Sequence, residues 1–444
     1  MIPARRILLH LMSGGWIAVA AAQSSMPLTL DEPAWFVGVK AGVEWVRRVG
    51  RGRTDALMVA TRDGRLLLVD ATTGAARSAD HLDLRPGFRA ATPAIDHPAS
   101  AQAAYLFDRH GVWAVRLSGS PGLIWQRGDG PAVAGFDNDP EVLTGWVEAR
   151  VTAAGLLLLN RDGRLTLLSF DEGREHWRTD LGRLPNPVVH ASGNTAVVLW
   201  RAGGATRAAF VAVTDTCRAP RVRALDDTWP IWSTLCGDGL LTLTPREAVW
   251  WPPQGAERRI PLPISPANAA RAASWSPRDP LAADALLLLA SGPRVAALRV
   301  PDGRPAWSYE ADAGDDFTTL TISAGRAAAT GVRGFAVLEA ATGRPLLEHR
   351  RSAPVRLLKA HATENGVYTL YCRERPAPNT EDATACVQAE LLRFDIPPAP
   401  DASRLVKPSA TRGPAIPPGL LDTVWTDRCV VFVAFKGLLA WELP

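Results

Sequence analysis

Lysine, cysteine and helical periodicity are all scarce in this chain, and each shortage narrows what it is. Lysine occurs only at Lys40, Lys359, Lys407 and Lys436, so arginine carries nearly all the positive charge. The 49 basic and 45 acidic residues are interspersed and leave a net charge of +4, with no basic run of the kind a dedicated nucleic-acid surface needs. Five cysteines in 444 residues include no CxxC pair and no vicinal pair, and the eight histidines form no metal-spaced pair, so no zinc site is written in the spacing. A Gly-x-Ser-x-Gly elbow is absent, and Gly203-Gly204 falls between two strand-like runs rather than in a phosphate-binding loop. Beyond the N-terminus no run of 18 apolar residues occurs, so no membrane insertion is expected of the mature chain. What remains is a composition of 47% hydrophobic and 21% charged residues, which belongs to a folded globular protein.

The first residues have their own pattern. Arg5-Arg6 is followed by the mostly apolar stretch Ile7 to Ala22, which ends in the small residues Ala20-Ala21-Ala22. That is the layout of a secretory signal peptide, 1–22, cleaved after Ala22, and it predicts a periplasmic protein. Residues 23–444 are then expected to form a single domain. An oxidising compartment permits disulfides. Cys372 ends the strand-like Val367–Tyr371 and Cys386 opens Val387–Phe394, so a hairpin would bring the two into register. Cys217 and Cys236 flank a connecting loop and form a second candidate pair, whereas Cys429 lies in an apolar run and reads as a buried thiol.

The rest of the chain alternates strand and turn. Arg62-Asp63-Gly64-Arg65-Leu66 leads ten residues later to Gly74, and Arg161-Asp162-Gly163-Arg164-Leu165 leads ten residues later to Gly173. Weaker copies include the turns at Asp302-Gly303 and Thr342-Gly343. Each Asp-Gly or Thr-Gly pair suits a tight turn between antiparallel strands. Runs such as Leu156–Leu159 and Leu286–Leu289 are apolar on both faces, as a strand between two sheets must be. Units recur about every 40 to 60 residues, the period of four-stranded propeller blades. The expectation is an all-β propeller of about eight four-stranded blades, with nine not excluded. The last unit ends one strand short, so an N-terminal strand, Trp35–Lys40 or Val43–Arg48, is expected to complete the C-terminal blade. A Pro-rich insertion lies near 396–418.

Several units place tryptophan just after the second turn glycine, as in Gly173-Arg174-Glu175-His176-Trp177 and Gly303-Arg304-Pro305-Ala306-Trp307. This phrase resembles the repeat of the pyrroloquinoline-quinone-like β-propellers, over roughly residues 35 to 444. The resemblance implies that Trp177 and Trp307 pack between blades. It also implies two kinds of relative: quinone-dependent dehydrogenases, and non-catalytic propellers such as the lipoprotein of the outer-membrane β-barrel assembly machine. The chain lacks the adjacent cysteines common in the former and the lipid-bearing cysteine of the latter.

Other candidates are weaker. Asp137 and Asp139, in Phe136–Glu141, alternate oxygen ligands as a calcium loop does, but the full spacing of a helix-loop-helix calcium site is missing and a solvated acidic turn is the preferred reading. Trp229, Trp232, Trp250 and Trp251 would bind a glycan or an apolar partner segment if exposed, and would join blades if buried. The reading that follows is a non-catalytic exported platform for a protein or peptide partner, with no cofactor, either monomeric or part of a larger envelope complex. The alternatives are a quinone-dependent oxidoreductase using pyrroloquinoline quinone and calcium, and a glycan-binding propeller.

Overall fold

The structure, a computed structural model, describes residues 33–442 except 50–55, 80–81, 83, 85, 92–102, 109–110, 118–121, 129–145, 161, 215, 217–218, 237, 269–270, 276–284, 301, 312–315, 352–354, 363–365, 377–383, 397–419 and 427–428. The proposed signal peptide, Asp137, Asp139, Cys217 and nearly all of the Pro-rich insertion lie outside the described residues.

Strands are numbered in chain order from β1 (Trp35–Gly38) to β35 (Gly437–Glu442), and no α-helix occurs among the described residues. Seven sheets are built from four consecutive antiparallel strands: β2–β5 (43–78), β6–β9 (89–128), β10–β13 (146–180), β14–β17 (188–224), β18–β21 (232–261), β22–β25 (272–310) and β26–β29 (317–350). A sheet of three described strands follows, β30–β32 (355–395). The eighth four-stranded sheet runs in the order β1-β35-β34-β33, with β33 at Leu420–Trp425 and β34 at Cys429–Ala434.

The first strands of successive sheets touch one another, which places them innermost in a β-propeller. Closure is made by the N-terminal strand. Trp35 pairs with Ala440 and Gly38 with Gly437, so β1 is the outer strand of the C-terminal blade. Val43–Val49, the other candidate for that role, is instead the inner strand β2 of the first blade. Eight four-stranded blades match the number expected. The three-stranded sheet is additional and contains the hairpin of Cys372 and Cys386.

Radial stacking sets the burial pattern. Leu156 to Leu159, on a second strand (β11, Leu156–Asn160), are each at most 1% exposed, because a neighbouring blade covers both faces of their sheet. Each such leucine contributes about 2–3 kcal/mol of burial. Outermost strands have only one neighbour in the sheet, and β5 (Ala76–Ser78) is exposed throughout. The apolar clusters lie between blades rather than at a common centre. One joins the closing blade to the first through Trp35, Val431, Leu57 and Val69.

Candidate functional site

The repeat phrase makes the joint between blades. Trp35, Trp125 and Trp307 lie on outermost strands, and each sets its ring on the turn glycine of the next blade. A Cβ added at Gly74 would lie 2.5 Å from Trp35, and one at Gly173 would lie 2.7 Å from Trp125. At Gly343 it would fall within the indole of Trp307. These glycines also hold φ between +64° and +73°, so both the turn and the ring require the missing side chain. Each indole N–H then donates to a carbonyl beside that turn: Trp35 to Ala71 (3.1 Å), Trp125 to Phe170 (2.8 Å) and Trp307 to Ala340 (3.1 Å). Trp177 donates to Thr214 of its following blade at 2.7 Å. Gly303 is seated under Ile260 in the same way, with an aliphatic side chain in the tryptophan position. Gly64 and Gly163 occupy the other turn of the repeat, between second and third strands, each at φ +87°.

Of the four mid-chain tryptophans, Trp251 is buried and the other three are half-buried. Trp251 is 3% exposed, and its N–H donates to Thr242 Oγ1 at 2.9 Å. Trp250 faces the other side of the sheet, where its ring fills the space over Gly239 and takes Arg258 against it at 5.6 Å. Trp229 and Trp232 are half-buried against inter-blade clusters. Trp251 is thus drawn wholly into packing, while Trp229, Trp232 and Trp250 keep part of their surface exposed. The Cys217–Cys236 pair is corrected. Cys236 is a free, half-buried thiol whose β-strand position pairs with Gly239 across a tight hairpin. Cys429 is a buried free thiol, donating to the Ala71 carbonyl at 3.1 Å. Cys372 is buried and does not stand as a free thiol, and the register places Cys386 opposite Glu374, two residues along from it.

The axial wall is a feature that sequence reasoning missed. Five innermost strands carry a β-bulge: β2 (Val43–Val49) at Val43/Trp45, β10 (Trp146–Val151) at Trp146/Glu148, β26 (Phe317–Ser323) at Phe317/Thr319, β30 (Val355–Ala362) at Leu357/Lys359, and β33 at Leu420/Asp422. A bulge inserts a residue and re-aims the side chains beside it. An innermost strand has an unpaired edge towards the axis. Long cations from neighbouring blades cap its carbonyls. Arg89 donates to Val147 (3.1 Å), Arg150 to Val189 (2.8 Å), Lys359 to Thr423 (2.8 Å) and Arg48 to Trp425 (3.4 Å). Glu148 pairs with Arg150 at 3.0 Å, and Asp422 with Lys359 at 3.3 Å.

His190 continues this girdle with its Nε2 2.8 Å from Ser233 Oγ on the next blade. Burial, reinforced by the Arg150 charge, pulls the His190 pKa down to about 4. A catalytic triad would set a carboxylate behind the imidazole to stabilise its protonated form. Here the charged neighbour is a cation, which disfavours that form, so the pair links blades rather than activating a serine. Among the described residues no group of three or more His, Cys, Asp and Glu side chains is placed to hold a metal.

The second feature of interest is an arm. The pairing of β30 with β31 (Gly366–Pro376) ends at Arg373, whereas β31 and β32 (Thr384–Asp395) stay paired out to Pro376 and Thr384. Residues 374–376 and 384–386 thus form a two-stranded extension beyond the blade.

No family model and no curated protein matches the chain. Solved structures do. BamB from Moraxella catarrhalis is similar at 12% identity over 92% of this chain and all of that one, with a TM-score of 0.39. Dihydro-heme d1 dehydrogenase NirN is similar at 14% identity over 90% of this chain and 78% of that one, with a TM-score of 0.44. The WD40 domain of SCAP from fission yeast aligns at 11% identity over 93% and 97%, at a TM-score of 0.39. These likenesses follow the path of the chain and say nothing of activity or partner.

Proposed function

We propose that this chain is an exported, non-catalytic propeller that serves as a binding platform for a protein or peptide partner in the periplasm. The arm of β31 and β32 is the observation that carries the reading. Loops are where a rigid scaffold presents recognition elements. A paired ladder that outruns its own blade adds main-chain donors and acceptors on edges that the blade does not use, and an extended partner segment pairs with such edges. The export half of the reading rests on the Arg5–Ala22 pattern. A disulfide between Cys372 and Cys386 would stiffen the base of the arm and suits that compartment.

The test is excision of the arm, joining Arg373 to Val387 through a two-residue Asn-Gly turn, in the exported full chain. The expected result is an unchanged β circular-dichroism spectrum together with loss of the proteins that co-purify with the unaltered chain after crosslinking. Retention of the same crosslinked proteins by the shortened chain would refute the assignment of the arm.

A further inference from the structure

The charges on the innermost strands are unevenly placed. Described innermost strands carry six basic residues, Arg47, Arg48, Arg89, Arg150, Arg356 and Lys359, against three acidic ones, Glu44, Glu148 and Asp422, a difference of +3. All nine fall on five consecutive sheets, those of β30, β33, β2, β6 (Arg89–Ala90) and β10. The innermost strands of the other four, β14 (Val188–Ser192), β18 (Trp232–Cys236), β22 (Ala272–Trp275) and β26, carry no Asp, Glu, Lys or Arg. Among their hydroxyls, Ser233 is bonded to His190, and Thr318 and Thr319 to Thr330.

The second observation is how the cations are held. Arg48, Arg89, Arg150 and Lys359 all donate to main-chain carbonyls. A carbonyl fixes a cation in position without cancelling its charge. Arg150 and Lys359 have a carboxylate beside them as well. Of the charged side chains on these strands, Lys359, Glu148 and Asp422 stand at a bulge. Burial lowers the basicity of Arg150, Glu148 restores part of it and the Arg89 charge lowers it again, while the Arg150 charge disfavours protonation of His190.

We infer that the cation-rich arc of the axial wall is a binding site for an oxyanion ligand bearing two or more phosphate or carboxylate groups, spanning the blades of β30, β33, β2, β6 and β10. Cations fixed beforehand on carbonyls lose little side-chain freedom when an anion arrives, and the low-dielectric wall strengthens each interaction.

Calorimetry on the full chain, at fixed ionic strength set with chloride, tests this with tripolyphosphate and citrate as probes. The expected result is saturable binding of at least one probe. Tripolyphosphate alone would identify a phosphate ligand and citrate alone a carboxylate one. Arg47→Gln and Arg356→Gln, both exposed residues on the wall, should each weaken binding roughly three- to tenfold while the melting temperature holds. Arg304→Gln, on an outer turn at 83% side-chain exposure, should leave binding unchanged. Absence of saturable heat with both probes, or equal weakening by Arg304→Gln, would overturn the site.

Discussion

Gly343→Ala isolates the seat on which blades are joined. Gly343 sits at φ +73° beneath Trp307, and an added methyl group would fall within that indole. The backbone alone costs an alanine about 1 kcal/mol in the left-handed region. Displacing a ring that is also hydrogen-bonded to Ala340 adds about 1–3 kcal/mol of overpacking. The sum, about 2–4 kcal/mol, is a large share of the stability of an ordinary domain. Gly182→Ala provides the control, since Gly182 has the same φ of +73° and nothing within 4 Å of the added carbon. That variant should lose only the backbone cost. Trp307→Ala by itself should cost about 3–5 kcal/mol. In the double variant the ring is gone, so the steric cost of the Gly343→Ala methyl disappears, and the two losses sum to less than their separate values by about 1–3 kcal/mol. Urea unfolding followed by circular dichroism measures all four. A Gly343→Ala loss no greater than that of Gly182→Ala, or strict additivity in the double variant, would refute the seat.

Three further outcomes are expected. His190 has its pKa pulled down to about 4, so between that value and its unfolded value near 6.5 the unfolded chain binds more protons; stability therefore falls as pH drops through this window, by about 3 kcal/mol in full, and His190→Gln should remove that share of the dependence in melts at pH 7 and pH 4. Mass spectrometry of the exported chain under non-reducing conditions should find Cys372 and Cys386 in one linked peptide with Cys236 and Cys429 alkylatable after unfolding; a chain alkylated at all five cysteines without reductant would contradict the linkage. N-terminal sequencing of that exported chain should begin at Gln23, and an intact Met1 would contradict cleavage.

Much of the fold is legible because the turns are written in residues that do little else. Asp63-Gly64 and Thr73-Gly74 mark two different turns of one blade, and the missing strand at the C-terminus points to a partner near Trp35. Trp177 and Trp307 are legible from their fixed distance to a turn glycine. Innermost strands are harder to read. Their alternation is broken by bulges, so Val43–Val49 reads as a loose segment rather than the start of a blade. The axial wall is not legible at all, because Arg89, Arg150 and Lys359 become neighbours of other blades only once the ring closes. Trp250 and Trp251 are ambiguous in the sequence for the opposite reason: adjacency on a strand is consistent with burial only when both faces are covered, and that is a property of the assembled propeller.

The most direct measurement is photocrosslinking in living cells from a benzophenone side chain placed at Gln388, at the base of the arm, compared with one at Arg294 on the sixth of the four-stranded repeats. A binding platform that uses the arm predicts a discrete crosslinked protein from position 388 and none from position 294. Equal crosslinking from both positions, or none from position 388, would contradict it.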